Sequence, residues 1–100
     1  MANYATNIFY ARTENQTDLD KIEAFLDDTF NGFVNRQTDS VDAEFTSRWV
    51  YPEEINTLVD SLEAKNEAYI KILTYEFEDE YVSFRVFSQG QWNIKLSTSE

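Results

Sequence analysis

The spacing of apolar residues changes from period two to helical spacing in the first third of the chain. In the run from Ala5 to Arg12, Ile8 and Tyr10 share one face, which predicts a first β-strand. A stripe with helical spacing follows, formed by Leu19, Ile22, Phe25, Leu26 and Phe30. We predict a helix over residues 18–30, with Thr17 as its N-cap and Gly32 just beyond its end, because hydroxyl side chains cap helices and glycine ends them.

The middle of the chain contains a strand with one polar face and a second helix. Between Val41 and Trp49, apolar residues alternate with acidic, hydroxyl and basic residues. This alternation is typical of a strand with one buried and one solvated face. A weaker pattern predicts a short strand over residues 32–38. Pro52 marks the start of a helix predicted over residues 52–64, since proline is tolerated where the N–H has no helical partner.

Three further strands are predicted in the last third, over residues 68–77, 81–87 and 92–96. The polar segments Glu78-Asp79-Glu80 and Gln89-Gly90 separate them as turns. The predicted order is therefore β-α-β-β-α-β-β-β. We predict one α+β domain over residues 1–100, in which two helices cover one face of an antiparallel sheet, in a ferredoxin-like (split βαβ) arrangement with an extra C-terminal strand.

Composition removes several kinds of chemistry. The chain has no cysteine and no histidine, so it lacks disulfides, thiolate nucleophiles, the commonest general base and the commonest transition-metal ligand. No run of about 18 apolar residues is present, so no membrane span is expected. The first residues lack a basic segment followed by an apolar stretch. With the absence of cysteine, this predicts a cytoplasmic location.

The acidic residues form no pattern that predicts catalysis or cofactor binding. Pairs such as Glu53-Glu54 are adjacent, and adjacent residues on a helix do not face each other across a cleft as the carboxylates of a glycosidase do. Asp39, Asp42 and Glu44 lack the spacing and the central glycine of a calcium loop. The two glycines are isolated, so no phosphate-binding loop is present. We predict a protein that is not an enzyme and binds no metal or cofactor.

Three segments resemble a known family of small proteins. They are Glu44-Phe45-Thr46-Ser47-Arg48-Trp49-Val50-Tyr51-Pro52, the stretch Tyr69 to Phe77 with Glu78-Asp79-Glu80 after it, and the opening Met1-Ala2-Asn3-Tyr4 with Asn7. In these segments the chain resembles the YubB-like ferredoxin-like domains of plasmids and phages, whose function is unknown. The resemblance implies a ferredoxin-like fold and a mobile-element setting, in the cytoplasm of a host cell. It implies no reaction.

Net charge is the strongest functional signal in the sequence. Nineteen acidic residues oppose eight basic ones, which gives a net charge of −11. Such a field repels nucleic acid and anionic membranes, so neither is expected as a direct partner. It attracts basic protein surfaces, including those of nucleic-acid-binding enzymes. The carboxylates predicted to bind such a partner are Asp27, Asp28, Asp42, Glu44, Glu76, Glu78, Asp79 and Glu80.

A strand that continued to residue 80 would arrange carboxylates like phosphates. Glu76, Glu78 and Glu80 would then project at intervals of about 6.6 Å. Two phosphate steps along one DNA strand cover about 6.8 Å of the helix axis. Together with the mobile-element setting, this spacing predicts a DNA-mimic inhibitor that occupies the basic groove of a host defence nuclease, of the anti-CRISPR or anti-restriction type.

An alternative interpretation stays open, in which the acidity serves only to keep an aromatic-rich protein soluble. In that case the chain is an accessory or structural interaction domain of a mobile element that self-associates into a homo-oligomer. A sheet face rich in aromatic residues would be an exposed apolar patch, and such patches mark interaction sites. The aromatic residues predicted for this face are Tyr69, Tyr75, Tyr81 and Phe87.

Self-repulsion within a chain of charge −11 predicts a stability that rises with salt. We expect the melting temperature at pH 7 to increase between about 10 mM and about 150 mM NaCl, because the Debye length falls from about 30 Å to about 8 Å. Differential scanning calorimetry measures the change. A melting temperature that stays constant over this range would contradict the prediction.

Overall fold

The computed structural model describes residues 4–30, 32–48 and 51–97. The predicted strands and helices are all present, with some bounds shifted. In chain order they are β1 (Tyr4–Arg12), α1 (Gln16–Thr29), β2 (Gly32–Arg36), β3 (Ser40–Arg48), α2 (Glu54–Asp60), β4 (Tyr69–Glu76), β5 (Tyr81–Ser88) and β6 (Gln91–Ser97). A 3₁₀ turn, Lys65–Glu67, connects α2 to β4. Trp49, predicted to continue β3, lies outside the described residues.

The strands form one six-stranded sheet in the order β2-β3-β1-β4-β5-β6, and each neighbouring pair is antiparallel. The predicted α+β class, with an antiparallel sheet and two helices, is therefore confirmed. The arrangement is consistent with a ferredoxin-like fold. β1 lies inside the sheet and pairs with both β3 and β4, so its register aligns the two halves of the sheet.

One face of the sheet and the two helices together form the core. Phe9 of β1 and Ile72 of β4 are buried on this face. They belong to one cluster with the apolar stripes of the helices, which are Leu19, Ile22 and Leu26 of α1 and Ile55, Leu58 and Val59 of α2. Burial of each such side chain contributes about 1.5–3 kcal/mol, so this face holds most of the folding energy. No helix in the described ranges has the length and hydrophobicity needed to cross a bilayer.

Helix α1 begins before the predicted residue 18, and its N-cap is Asn15 rather than Thr17. The Asn15 side-chain oxygen accepts a hydrogen bond from the backbone N–H of Asp18 at 2.9 Å. The backbone N–H of Asn15 in turn donates to the Thr13 hydroxyl at 3.2 Å. Asparagine ranks above threonine as an N-cap, so the polar segment after β1 supplies the better cap two residues earlier.

Asp18 connects α1 to the segment that follows α2. Its side chain is fully buried, and its two oxygens accept hydrogen bonds from the backbone N–H groups of Glu63 at 2.8 Å and Ala64 at 2.9 Å. A bond from a neutral donor to a charged acceptor is stronger than one between neutral groups. The carboxylate therefore fixes the path of the chain between α2 and β4.

Helix α2 spans Glu54–Asp60 rather than the predicted residues 52–64. At its start, the Pro52 carbonyl accepts the N–H of Ile55 at 3.1 Å in a turn that precedes the helix. After its end, the N–H groups of Ser61 and Leu62 still donate to the carbonyls of Leu58 and Val59. The N–H groups of Glu63 and Ala64 donate to Asp18 instead of to helix carbonyls. The predicted C-terminal extension is lost because a tertiary contact competes with the helix.

A β-bulge changes the faces of β6. Trp92 packs against the core and Ile94 follows on the same face, whereas Leu96 pairs with Phe84 on the opposite face. The register shifts between Phe84 and Arg85. The alternation of Trp92, Ile94 and Leu96 along the sequence predicts that they line one face. This prediction is wrong, because the extra residue of a bulge reverses the alternation.

Removing the Asp18 carboxylate is expected to destabilise the fold strongly. Asp18→Ala leaves two backbone N–H groups without their acceptor, and bonds to charged groups contribute about 1.5–3 kcal/mol each, so we expect a loss of roughly 3–6 kcal/mol. Asp20→Ala is the control, because Asp20 is exposed in its ion pair with Arg36 and such pairs contribute about 0–1 kcal/mol. Urea unfolding followed by circular dichroism measures both. Equal losses in the two variants would contradict this role of Asp18.

Candidate functional site

The sheet face opposite the helices has no layer packed on it in the described part of the chain. We call it the open face. It consists of the even-numbered residues of β1, β3 and β5, the odd-numbered residues of β2 and β4, and Gln91, Asn93 and Leu96 of β6. Ile8 of β1 is 47% exposed and Phe33 of β2 is 72% exposed, although strand residues of this type are normally covered.

An apolar row crosses the middle of the open face. The register places Ile8 beside Leu73, Leu73 beside Phe84, and Phe84 beside Leu96. Phe33 lies in the same row on β2, separated from Ile8 by Glu44 of β3. Leu73 and Phe84 are half-buried by their neighbours within the sheet, and Leu96 is 52% exposed. A contiguous exposed apolar patch on a small protein marks an interaction site.

The aromatic residues predicted to share one sheet face are divided between the two faces. Tyr69 and Tyr75 of β4 lie on the open face, as proposed for them. Phe87 lies in the core at 2% exposure, and Tyr81 also lies on the helix side. The Tyr81 hydroxyl accepts the backbone N–H of Tyr51 at 3.2 Å.

The aromatic set therefore requires a correction. In β5 the even positions face outward, so Phe84 replaces Tyr81 and Phe87 on the open face. Both faces of β5 carry large apolar residues, and the sequence pattern alone does not distinguish the inner from the outer face. Phe33 of β2 and Ile8 of β1 are also prominent on the open face, although the predicted aromatic set does not include them. Their exposure depends on which face of the sheet the helices cover, and the sequence pattern does not show this.

The predicted row of carboxylates at residues 76, 78 and 80 is not formed. β4 ends at Glu76, and residues 77–80 form a turn. Glu76 is only 6% exposed and points to the helix side of the sheet. Glu76, Glu78 and Glu80 therefore do not form a phosphate-like row, because the strand does not continue to Glu80.

Glu76 instead holds the β4–β5 turn in one conformation. Its carboxylate accepts the backbone N–H of Asp79 at 2.6 Å, and the N–H of Glu80 donates to the Phe77 carbonyl at 3.2 Å. The ring of Phe77 is 88% exposed at the tip. The hydrogen-bonded turn thus presents an exposed aromatic side chain next to the exposed residues Glu78 and Asp79.

The exposed carboxylates of the predicted set fall into two groups. Asp42 and Glu44 lie on the open face, on β3. The topology places the rest at the end of the sheet where β1 begins, β3 and β4 end, α1 ends and α2 begins. We call this region the acidic end. Its exposed carboxylates are Asp27, Asp28, Glu53, Glu54, Glu78, Asp79 and Glu80.

Most carboxylates of the acidic end form no ion pair among the described residues, although Arg48 lines the same cavity as Glu53 and Glu54. Within the described ranges, ion pairs are absent for Asp27, Asp28, Glu53, Glu54, Glu78 and Asp79. Arg36 binds Asp20 at 2.9 Å and Glu23 at 3.0 Å, on a different part of α1. Charge balance within the fold therefore does not account for the acidic end.

Two of these carboxylates lie where a helix disfavours them. Asp27 and Asp28 are in the last turn of α1, which contains no basic residue. The helix dipole places partial negative charge at this end, so each carboxylate is destabilising. Their position does not serve the stability of α1.

The titratable groups with shifted pKa values do not supply an acid or a base. Burial raises the pKa of Tyr51, whose hydroxyl donates to the Asn56 side chain at 2.9 Å. A hydrogen bond to Asp20 raises the pKa of Arg36. Both groups therefore keep their ordinary protonation at neutral pH. Among the residues that the structure describes, no three acidic side chains converge closely enough to hold a metal ion.

Comparison of the chain with models of protein families, with curated protein sequences and with solved structures gives no match. The YubB-like family therefore stays a prediction from the sequence. The function is inferred from the geometry and charge of the chain's own residues, of which the open face and the acidic end are the two distinctive surfaces.

Neutralising the carboxylates at the end of α1 is expected to stabilise the fold. Asp27→Asn and Asp28→Asn should each raise the free energy of unfolding by about 0.3–1 kcal/mol at low salt, because each removes a negative charge from the negative end of the helix dipole. Asp39→Asn, outside the helices, is the control and should have a smaller effect. Urea unfolding measures the change, and a loss of stability in the two α1 variants would show that these carboxylates have a structural role instead.

Proposed function

We propose that this chain is a non-enzymatic binding protein whose acidic end binds a basic, nucleic-acid-binding surface of a partner protein. The observation that carries the proposal is the group of exposed carboxylates at one end of the sheet that have no ion pair among the described residues. Carboxylates accept charge-assisted hydrogen bonds from arginine and lysine, which are about twice as strong as neutral ones. The net charge of −11 steers basic surfaces toward the chain.

The β4–β5 turn supports the proposal, because it supplies an apolar anchor within the acidic end. Protein interfaces draw much of their binding energy from an aromatic residue buried at the centre of a polar rim. Phe77 is 88% exposed, and Glu78 and Asp79 follow it directly. The hydrogen bond from Asp79 to Glu76 holds the turn before binding, which lowers the entropy lost when a partner docks.

We further propose that the partner is a host defence nuclease and that the carboxylates occupy the groove that normally binds phosphates. In this proposal, β1 to β4 and the two helices form a split βαβ core, and the chain acts in the host cytoplasm. Two strands, β5 and β6, extend this core, rather than the one extra C-terminal strand expected from the sequence. The strand order β2-β3-β1-β4 supports the core assignment. The resemblance to plasmid and phage domains supports the mobile-element setting.

A capture experiment tests the proposal. Immobilised wild-type chain is incubated with host lysate, and the retained proteins are identified by mass spectrometry after elution with duplex DNA. We expect nucleic-acid-binding proteins that the duplex displaces, with affinities that fall steeply as salt rises. The double variant Glu78→Lys with Asp79→Lys should weaken their binding more than about tenfold, because like charges at an interface cost several kcal/mol.

The matched control is Asp39→Lys with Glu67→Lys, which changes the net charge equally. Both control residues are exposed at the opposite end of the sheet, near the start of β4 and the β2–β3 turn. The control should retain the captured proteins. If both double variants lose binding to the same extent, the overall charge rather than the acidic end is responsible. Retained proteins that duplex DNA does not displace would count against a nucleic-acid-binding partner.

A further inference from the structure

The open face is distinct from the acidic end because it is not acidic. Of the 19 acidic residues of the chain, those on the described open face are Asp42 and Glu44. They share it with the cations Arg12, Arg48 and Lys71. A basic partner attracted by the net charge therefore gains little there. We propose that the open face binds the open face of a second copy of this chain, independently of the function of the acidic end.

The size of the open face suits such a dimer. Six strands about 4.8 Å apart, with a rise of about 3.3 Å per residue, cover roughly 600 Å² of flat area. Stable interfaces bury about 1,200–2,000 Å² in total, so two such faces reach the lower end of this range. Burial of the row that contains Ile8 and Leu73 supplies the apolar centre of the interface.

A two-fold axis parallel to β1 places Asp42 opposite Lys71 across this interface, Glu44 opposite Leu73, and Arg12 opposite its own equivalent. In the row of Tyr10, the register places Asp42 on the β3 side and Lys71 on the β4 side. Rotation about β1 exchanges these sides, so Asp42 of each copy faces Lys71 of the other. The contact occurs twice, because a two-fold interface repeats every pair. Lys71 already lies over the Tyr10 ring at 5.4 Å, which restricts the ammonium group to this row.

The same axis matches the exposed rings. Phe33 on β2 and Phe84 on β5 lie in the row of Ile8, each two strands away from β1. Rotation therefore brings Phe33 of one copy onto Phe84 of the other, and Ile8 onto its own equivalent. Aromatic pairs of this kind contribute about 0.5–1.5 kcal/mol beyond their area. The high exposure of Phe33 is thereby removed in the dimer.

Salt separates this interface from the binding proposed for the acidic end. Two chains of charge −11 repel each other, so the dimer should tighten as salt rises toward physiological concentration. Binding of a basic partner to the acidic end should weaken over the same range. The two proposals are therefore confirmed or overturned separately.

Cross-linking at residue 8 tests the symmetry. The chain has no cysteine of its own, so Ile8→Cys introduces a unique thiol close to the axis. Stacked sheets lie about 10 Å apart, so a bismaleimide with a reach of about 8 Å should join two copies through this residue. Ala24→Cys, exposed on α1, is the matched control and should remain monomeric. Cross-linking of both variants to the same extent, of the control alone, or of neither would overturn the proposal.

Charge exchange tests the pairing of Asp42 with Lys71. In sedimentation equilibrium of the cysteine-free chain, Asp42→Lys and Lys71→Asp should each raise the dimer dissociation constant more than about tenfold. The double variant Asp42→Lys with Lys71→Asp should restore the wild-type constant, which a structural defect would not do. A double variant as weak as the single ones, or a wild type that stays monomeric at every concentration tested, would overturn the proposal.

Discussion

Helices cover one face of the sheet and leave the other face uncovered in the described chain, and this difference determines the rest of the structure. A 14-residue helix and a 7-residue helix pack on one face of a six-stranded sheet, and both bury their apolar stripes there. The described chain has no second layer for the opposite face. That face nevertheless carries Ile8, Leu73 and Phe84 in one row. One face of the sheet thus forms the core, and the opposite face forms an apolar surface.

The charge of the chain is segregated from this surface. The acidic residues on the described open face are Asp42 and Glu44, and the cations Arg12, Arg48 and Lys71 lie on the same face. The acidic end, in contrast, has carboxylates from α1, α2 and the β4–β5 turn without ion pairs in the described ranges. Salt screens both the repulsion between like-charged copies and the attraction to a basic partner, so the contacts proposed for the two surfaces are expected to respond to salt in opposite directions. One chain can therefore present an apolar contact and an electrostatic contact without mixing them.

Acidic residues with similar sequence contexts have unrelated roles in this fold. Asp18 is buried and holds the segment after α2, and Glu76 is buried and holds the β4–β5 turn. Asp27 and Asp28 lie unpaired in the last turn of α1, where they oppose the helix dipole. The first two contribute to stability, and the latter two reduce it. Only the latter kind gives evidence for binding, since selection for a stable fold does not explain carboxylates in an unfavourable position.

Local patterns determined much of the fold. The period-two and helical stripes predicted each strand and helix, because these periods follow from backbone geometry alone. The composition also excluded thiol and imidazole chemistry from the sequence alone. Tertiary contacts decided the rest. Asp18 shortened α2 by taking N–H groups that its next turn would have used, and the bulge between Phe84 and Arg85 moved Leu96 to the other face.

The functional surfaces depended on tertiary structure most of all. Phe87 and Phe84 are indistinguishable by type, and only pairing with β4 shows that Phe87 enters the core while Phe84 stays outside. Glu76 has the same charge as Glu78, but the end of β4 buries one and exposes the other. The sequence by itself determined how many carboxylates and aromatic rings this protein has. Which of them reach solvent was decided by register and by helix position, because burial is a property of contacts between segments distant in the chain.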